Sequence, residues 1–160
     1  MTDPDVAELT LTIAHYEALI AASPADERIP EWWYELAAAY HERADHSGDL
    51  SDWDRAVTLH RQWRDTFPAC EERDVGSATL AEALWQRFLT AFHRHGMPEP
   101  EGIVQARTTA AAIGDLVPEV EPGAMATIIG MLHGLALVRV ASLTGEPADL
   151  DDGIAVLAPA

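Results

Sequence analysis

The chain has 160 residues, of which 27 are acidic and 10 are basic, so its formal net charge is −17. A chain of this length buries enough apolar surface to fold without a disulfide or a metal ion, and we expect one domain over residues 1–160. Its negative field repels phosphate groups, which argues against nucleic acid and anionic membrane surfaces as partners.

The N-terminal segment predicts a helix over residues 5–22, which we expect to cap the helices that follow. Its first residues are acidic, whereas a secretory signal carries positive charge before its apolar run. We therefore expect the protein to be cytoplasmic.

Three glycines end helical patterns at nearly even spacing. Gly48, Gly96 and Gly145 are 48 and 49 residues apart. Glycine adopts the left-handed conformation found just past a helix end, and a fixed period of this size is typical of stacked helical repeats. The predicted repeats span residues 29–68, 77–115 and 121–158, and their first helices are opened by Pro30, Ser77 and Pro122.

A second helix is predicted after each glycine. After Gly48, Ser51 offers an N-cap with Asp54 three positions later, a variant of the capping box, and this helix should close before Pro68. The middle copy is shorter, with a second helix over about residues 101–113.

Five positions after Gly48 match five positions after Gly145 in residue type. The pairs are Asp52 and Asp149, Trp53 and Leu150, Asp54 and Asp151, Ala56 and Gly153, and Val57 and Ile154. We expect the acids to favour a helix start, the large residue to close the corner, the small residue to let two helices approach, and the β-branched residue to enter the core. No segment alternates like a strand, so the predicted fold class is all-α.

The segments GDLSDWDRAV and GEPADLDDGI resemble the tetratricopeptide-like helical repeats of actinobacteria, which often stand beside CHAT/caspase-like or NTPase domains. The resemblance covers roughly residues 29–157. It implies a right-handed superhelix of about three stacked antiparallel helix pairs that binds other proteins. The period is longer than the 34 residues of standard units, and the last helix is short.

No motif predicts catalysis, a metal site or a cofactor. His41 and His46 are five residues apart, which places their rings about 140° apart on a helix, so they do not share one ion. Cys70 lies beside Glu71 and Glu72, whose charges disfavour a reactive thiolate. The chain has no nucleophile elbow and no glycine-rich phosphate loop.

Aromatic side chains are the remaining signal for binding. Trp32, Trp33 and Tyr34 are consecutive and span about 200° on a helix, so they do not all face one core. An aromatic ring on a first helix either fills a gap between repeats or anchors a partner on the concave surface. The candidate partner-binding residues are Trp32, Trp33, His41, Trp85 and Arg87.

The segment from Gly123 to Val138 has no formal charge but is 16 residues long, short of the roughly 20 that span a bilayer. We expect a helix here that is buried between neighbours. Gly130, His133 and Gly134 lie on it and form a possible pocket beside one polar group, although such glycines also serve close helix packing.

The favoured function is a non-catalytic scaffold that binds a basic or apolar segment of another protein or peptide on an acidic helical-repeat surface. The alternative is a ligand-sensing or catalytic helical bundle with a pocket at the Gly123–Thr144 helix. The short last helix leaves apolar surface uncovered, which predicts a homodimer or contact with a C-terminal effector region absent from this chain.

Overall fold

The computed structural model describes residues 4–68, 70–94, 96 and 100–157. These residues are all-α, with no strand among them. The elements are α1 (Pro4–Ala22), α2 (Ile29–Ser47), α3 (Leu50–Thr66), α4 (Glu71–Arg94), α5 (Glu101–Gly114), a 3₁₀ turn (Val117–Glu119), α6 (Ala124–Thr144) and α7 (Pro147–Leu157).

Three predicted helix starts were wrong. The helix expected from Ser77 begins at Glu71, where acidic residues in the first turn complement the helix dipole, and Ser77 is buried within it. The side chain of Asp49, rather than that of Ser51, caps α3 by accepting a hydrogen bond from the Ser51 backbone N–H. The first helix of the third predicted repeat begins at Ala124 rather than at Pro122. Residue 158, the predicted end of that repeat, lies outside the described residues.

The predicted glycine turns are confirmed. Gly48 and Gly145 have φ values of 73° and 70°, and their backbone N–H groups donate to the carbonyls of Ala44 and Ala141. Gly96, with φ 59°, follows the last turn of α4. Only glycine takes this conformation without strain, so each short turn returns the chain against the helix it has just left.

Each helix packs against the next one in the chain, and α4 also packs against α6. One hydrophobic cluster joins α1, α2 and α3, and a larger one joins α2 to α6. Trp53, Phe88, Leu80, Ile113 and Ile129 are the largest fully buried side chains of the larger cluster.

The small residue at the repeated position brings two helices close together, as expected. A Cβ atom added to Gly153 would lie 2.9 Å from Val138 Cγ2 and 3.0 Å from the Val138 backbone nitrogen. The equivalent residue after Gly48, Ala56, is fully buried. Backbone contact between α6 and α7 therefore depends on the absence of a side chain at residue 153.

This contact yields a matched pair of stability predictions. Gly153→Ala should lower the free energy of unfolding by about 1 kcal/mol, since the clash outweighs the gain in helix propensity. Gly130→Ala, where an added Cβ meets no atom within 4 Å, should leave stability unchanged or raise it. Urea denaturation of both variants checks this, and equal effects of the two substitutions would contradict the close approach.

Helix α6 leaves one apolar face uncovered. By length and composition this helix could cross a membrane, and in the described structure it packs against α4, α5 and α7. Its expected burial is incomplete, because Ile128, Met131 and Leu135 are exposed. Leu150 and Ile154 of α7 are exposed as well, so apolar surface is present on both helices of the last pair.

Candidate partner-binding site

Most of the positive charge is paired within the molecule. Among the described residues, at least seven of the ten arginines form ion pairs with carboxylates, and they are Arg28, Arg43, Arg55, Arg64, Arg73, Arg87 and Arg107. Asp52, expected only to start a helix, is buried and accepts two hydrogen bonds from Arg43, at 2.6 and 2.7 Å. The excess acidic charge therefore remains available to a partner.

Helices α1 and α2 form a groove lined by carboxylates, with a volume of about 350 Å³, which we call the acidic groove. Its lining residues are Asp5, Glu8, Leu9, Thr12, Glu35, Ala38, Ala39 and Glu42. In the described residues, Glu8, Glu35 and Glu42 form no ion pair with an arginine. Their charges are therefore open to a cationic partner.

A second depression, of about 210 Å³, lies among α2, α3 and α4, and we call it the histidine cleft. Its lining residues are Tyr34, Ala38, His41, Glu42, His60, Thr79 and Glu82. It shares Ala38 and Glu42 with the acidic groove, so the two depressions are contiguous.

His60 is the most unusual group in the cleft. Its side chain comes from the buried face of α3 and is only 3% exposed, yet neither ring nitrogen has a hydrogen-bond partner among the described residues. The ring of His41 lies 6.1 Å from that of His60 and 4.7 Å from that of Trp53. Buried polar groups normally have a partner, so this imidazole is a place where a ligand could add one.

Both imidazoles are held neutral by their surroundings. Burial and, to a smaller extent, the neighbouring His41 together lower the pKa of His60 to about 4. Burial also lowers the pKa of His41, against the opposing influence of Glu82 and other nearby carboxylates. At neutral pH the cleft therefore offers neutral nitrogen donors and acceptors beside negative carboxylates.

This arrangement suits a cation with hydrogen-bond donors better than it suits a metal ion. Within the part of the chain that the structure describes, no group of three or more His, Cys, Asp or Glu side chains is placed to hold a metal. Glu42 and Glu82 supply negative charge, and the rings of Tyr34 and His41 supply flat surfaces.

The structure does not bring the five predicted binding residues together. His41 lines the cleft, whereas Trp32 is buried, with the Arg28 guanidinium 4.9 Å from its ring centroid. The other three are dispersed. Trp33 lies in a groove among α1, α2 and α3, Trp85 packs 5.7 Å from Phe88, and Arg87 pairs with Asp54.

Most residues of the cleft are not among those predicted from the sequence to bind a partner. His60 carried a signal, because it stands seven residues after Trp53 on the apolar face of α3. Tyr34 was noted only as part of an aromatic run. Glu82 carried no local signal, since its role depends on α4 packing beside α2 and α3.

Neighbouring helices lie against two of the three residues of the possible pocket on α6. His133 is half-buried against α5, where a Cβ atom added to Gly114 would lie 2.8 Å from the imidazole Nε2. Gly134 is buried, and its carbonyl oxygen lies 3.3 Å from the Cβ position of Gly153. Gly130 has open space beside it. The contacts of His133 and Gly134 are those of close helix packing, whereas Gly130 makes no such contact.

No family model matches this sequence, and no curated protein or solved structure matches it either. The likeness of two segments to tetratricopeptide-like repeats therefore stays a resemblance. The acidic groove and the histidine cleft are the features that a function must account for.

Proposed function

We propose that this chain is a non-catalytic cytoplasmic scaffold that binds a basic or apolar segment of another protein. The main support is the charge arrangement. At least seven arginines are paired internally, while Glu8, Glu35, Glu42 and Glu82 line two contiguous depressions and form no ion pair with an arginine in the described residues. A basic segment laid across them would meet complementary charge.

The proposal includes a tetratricopeptide-like stack in which α2, α4 and α6 are first helices and α3, α5 and α7 are second helices. Two observations support this assignment. The short turns at Gly48 and Gly145 join the two helices of a pair, and α6 packs against both helices of the pair before it. In a right-handed superhelix the first helices line the concave surface, and the acidic groove and histidine cleft involve α2 and α4.

A capture experiment with matched variants tests the function. The tagged chain is incubated with native lysate at low and high salt, and bound proteins are identified by mass spectrometry. We expect a stoichiometric protein whose binding weakens at high salt and in a Glu8→Gln/Glu35→Gln variant. Glu101→Gln/Glu121→Gln, which removes the same charge outside both depressions, is the control. Equal binding by both variants, or turnover of a small molecule, would contradict the proposal.

We also predict self-association through the uncovered apolar face of α6 and α7. Arg139 is the only charged residue between Ala124 and Thr144, so α6 adds little repulsion between two acidic copies. Leu135→Glu should convert a dimer to a monomer, because it buries an unpaired charge in the interface. Sedimentation velocity measures this, and a monomeric wild-type protein at high concentration would exclude it.

A further inference from the structure

Resting on the proposed function, we propose that the histidine cleft binds the guanidinium group of an arginine presented by the partner segment. Three observations carry the proposal: an unpartnered buried imidazole, two carboxylates on different helices, and flat rings beside them.

The first observation is the hydrogen-bonding capacity of His60. This side chain lines the cleft, is 3% exposed and has no partner at either ring nitrogen among the described residues. A neutral imidazole carries one acceptor nitrogen, which a guanidinium N–H satisfies by donating to it. Unpartnered buried polar atoms are rare in folded proteins, so a hydrogen-bonding ligand gives this residue a role that packing alone does not.

The second observation is the charge at the cleft. Glu42 comes from α2 and Glu82 from α4, and both line the cleft without an ion pair to an arginine in the described residues. Both carboxylates contribute negative potential at His41. A cation entering between the two helices restores the local charge balance, whereas an anion is repelled by both carboxylates.

The third observation selects arginine among cations. Tyr34 is 38% exposed and His41 half-buried, so both rings present surface to the cleft. A guanidinium is planar, is more weakly hydrated than an ammonium, and stacks on such rings while donating several hydrogen bonds. The cleft volume of about 210 Å³ suits one side chain rather than a whole peptide.

The test uses N-acetyl-arginine amide as the probe and nuclear magnetic resonance of the whole chain as the readout. We expect saturable shifts of the His41 and His60 imidazole resonances. N-acetyl-citrulline amide, which has nearly the same shape without the charge, should produce none. Glu82→Gln should weaken binding about tenfold, the size expected from one charge-assisted hydrogen bond, whereas Glu101→Gln should not change it.

His60→Leu separates ligand binding from folding. This variant places an apolar side chain in the buried position. It should retain its helical circular dichroism signal and should no longer bind the probe. Equal shifts with the citrulline compound, no saturable shift at all, or full binding by folded His60→Leu would each overturn the assignment.

This failure is distinguishable from failure of the proposed function. If a captured partner still depends on Glu8 and Glu35 while the arginine probe does not bind, the scaffold stands and the arginine assignment falls. If the probe binds the cleft but no partner depends on Glu8 and Glu35, the arginine assignment stands and the scaffold falls.

Discussion

Replacing Trp53 with alanine should lower the free energy of unfolding by about 3–5 kcal/mol, the range for removing a large buried aromatic side chain. Trp53 is fully buried between α2 and α4, and its ring lies 4.7 Å from that of His41. Helix α4 packs against α3, and its buried residues belong to the same hydrophobic cluster as Trp53, so the cavity left behind would lie inside this cluster. A loss of this size is a large part of the stability of a typical domain.

Leu150→Ala is the matched control, because Leu150 occupies the equivalent position after Gly145. Leu150 is 42% exposed, and among the described elements no helix follows α7 to cover it as α4 covers Trp53. Its truncation should cost about 1 kcal/mol or less, in proportion to the small apolar area it buries. Urea denaturation followed by circular dichroism measures both variants. Similar losses in the free energy of unfolding for the two substitutions would contradict the conclusion that the apolar surface of α6 and α7 is uncovered.

Acidification from pH 7 to pH 4 should lower the free energy of unfolding by about 3 kcal/mol through His60 alone. The folded state holds the pKa of His60 at about 4, below the value of 6.5 for an exposed imidazole. The unfolded chain therefore binds more protons between these two pH values. The contribution of His60 to the free energy of unfolding is fully present above pH 6.5 and is lost progressively as the pH falls towards 4.

His60→Leu isolates this contribution from that of the carboxylates, which titrate in both proteins. At pH 7 the variant should be as stable as the wild type or more so, because it removes a buried group without hydrogen-bond partners. Between pH 7 and pH 4, the free energy of unfolding of the variant should therefore fall by about 3 kcal/mol less than that of the wild type. Chemical denaturation at several pH values provides the measurement, and parallel pH profiles for the two proteins would contradict a neutral buried His60.

The local features of the fold could be predicted from the sequence because their causes are local. The left-handed turns depend on Gly48 and Gly145 themselves, and the close approach of α7 depends on the missing side chain at Gly153. The start of α4 was predicted too late. Ser77 is a common capping residue, but here its hydroxyl donates to the Arg73 carbonyl inside a helix that has already begun.

The candidate site could not be predicted in the same way, since it is made by tertiary packing. Glu8, Glu35 and Glu82 come from three different helices, and nothing in the local sequence around each one indicates that they border contiguous depressions. Tertiary packing also explains why the prediction for Arg87 differs from the structure. It was expected to face a partner, yet it pairs with Asp54 of α3.

Affinity selection of random displayed peptides shows whether the chain recognises basic segments. The wild-type chain serves as bait, and the Glu8→Gln/Glu35→Gln/Glu82→Gln variant serves for counter-selection. We predict enrichment of arginine-rich peptides that bind the wild type, bind the variant weakly and are released by added salt. Enrichment of acidic peptides, or the same peptides on both baits, would contradict a scaffold that recognises basic segments through its acidic groove and histidine cleft.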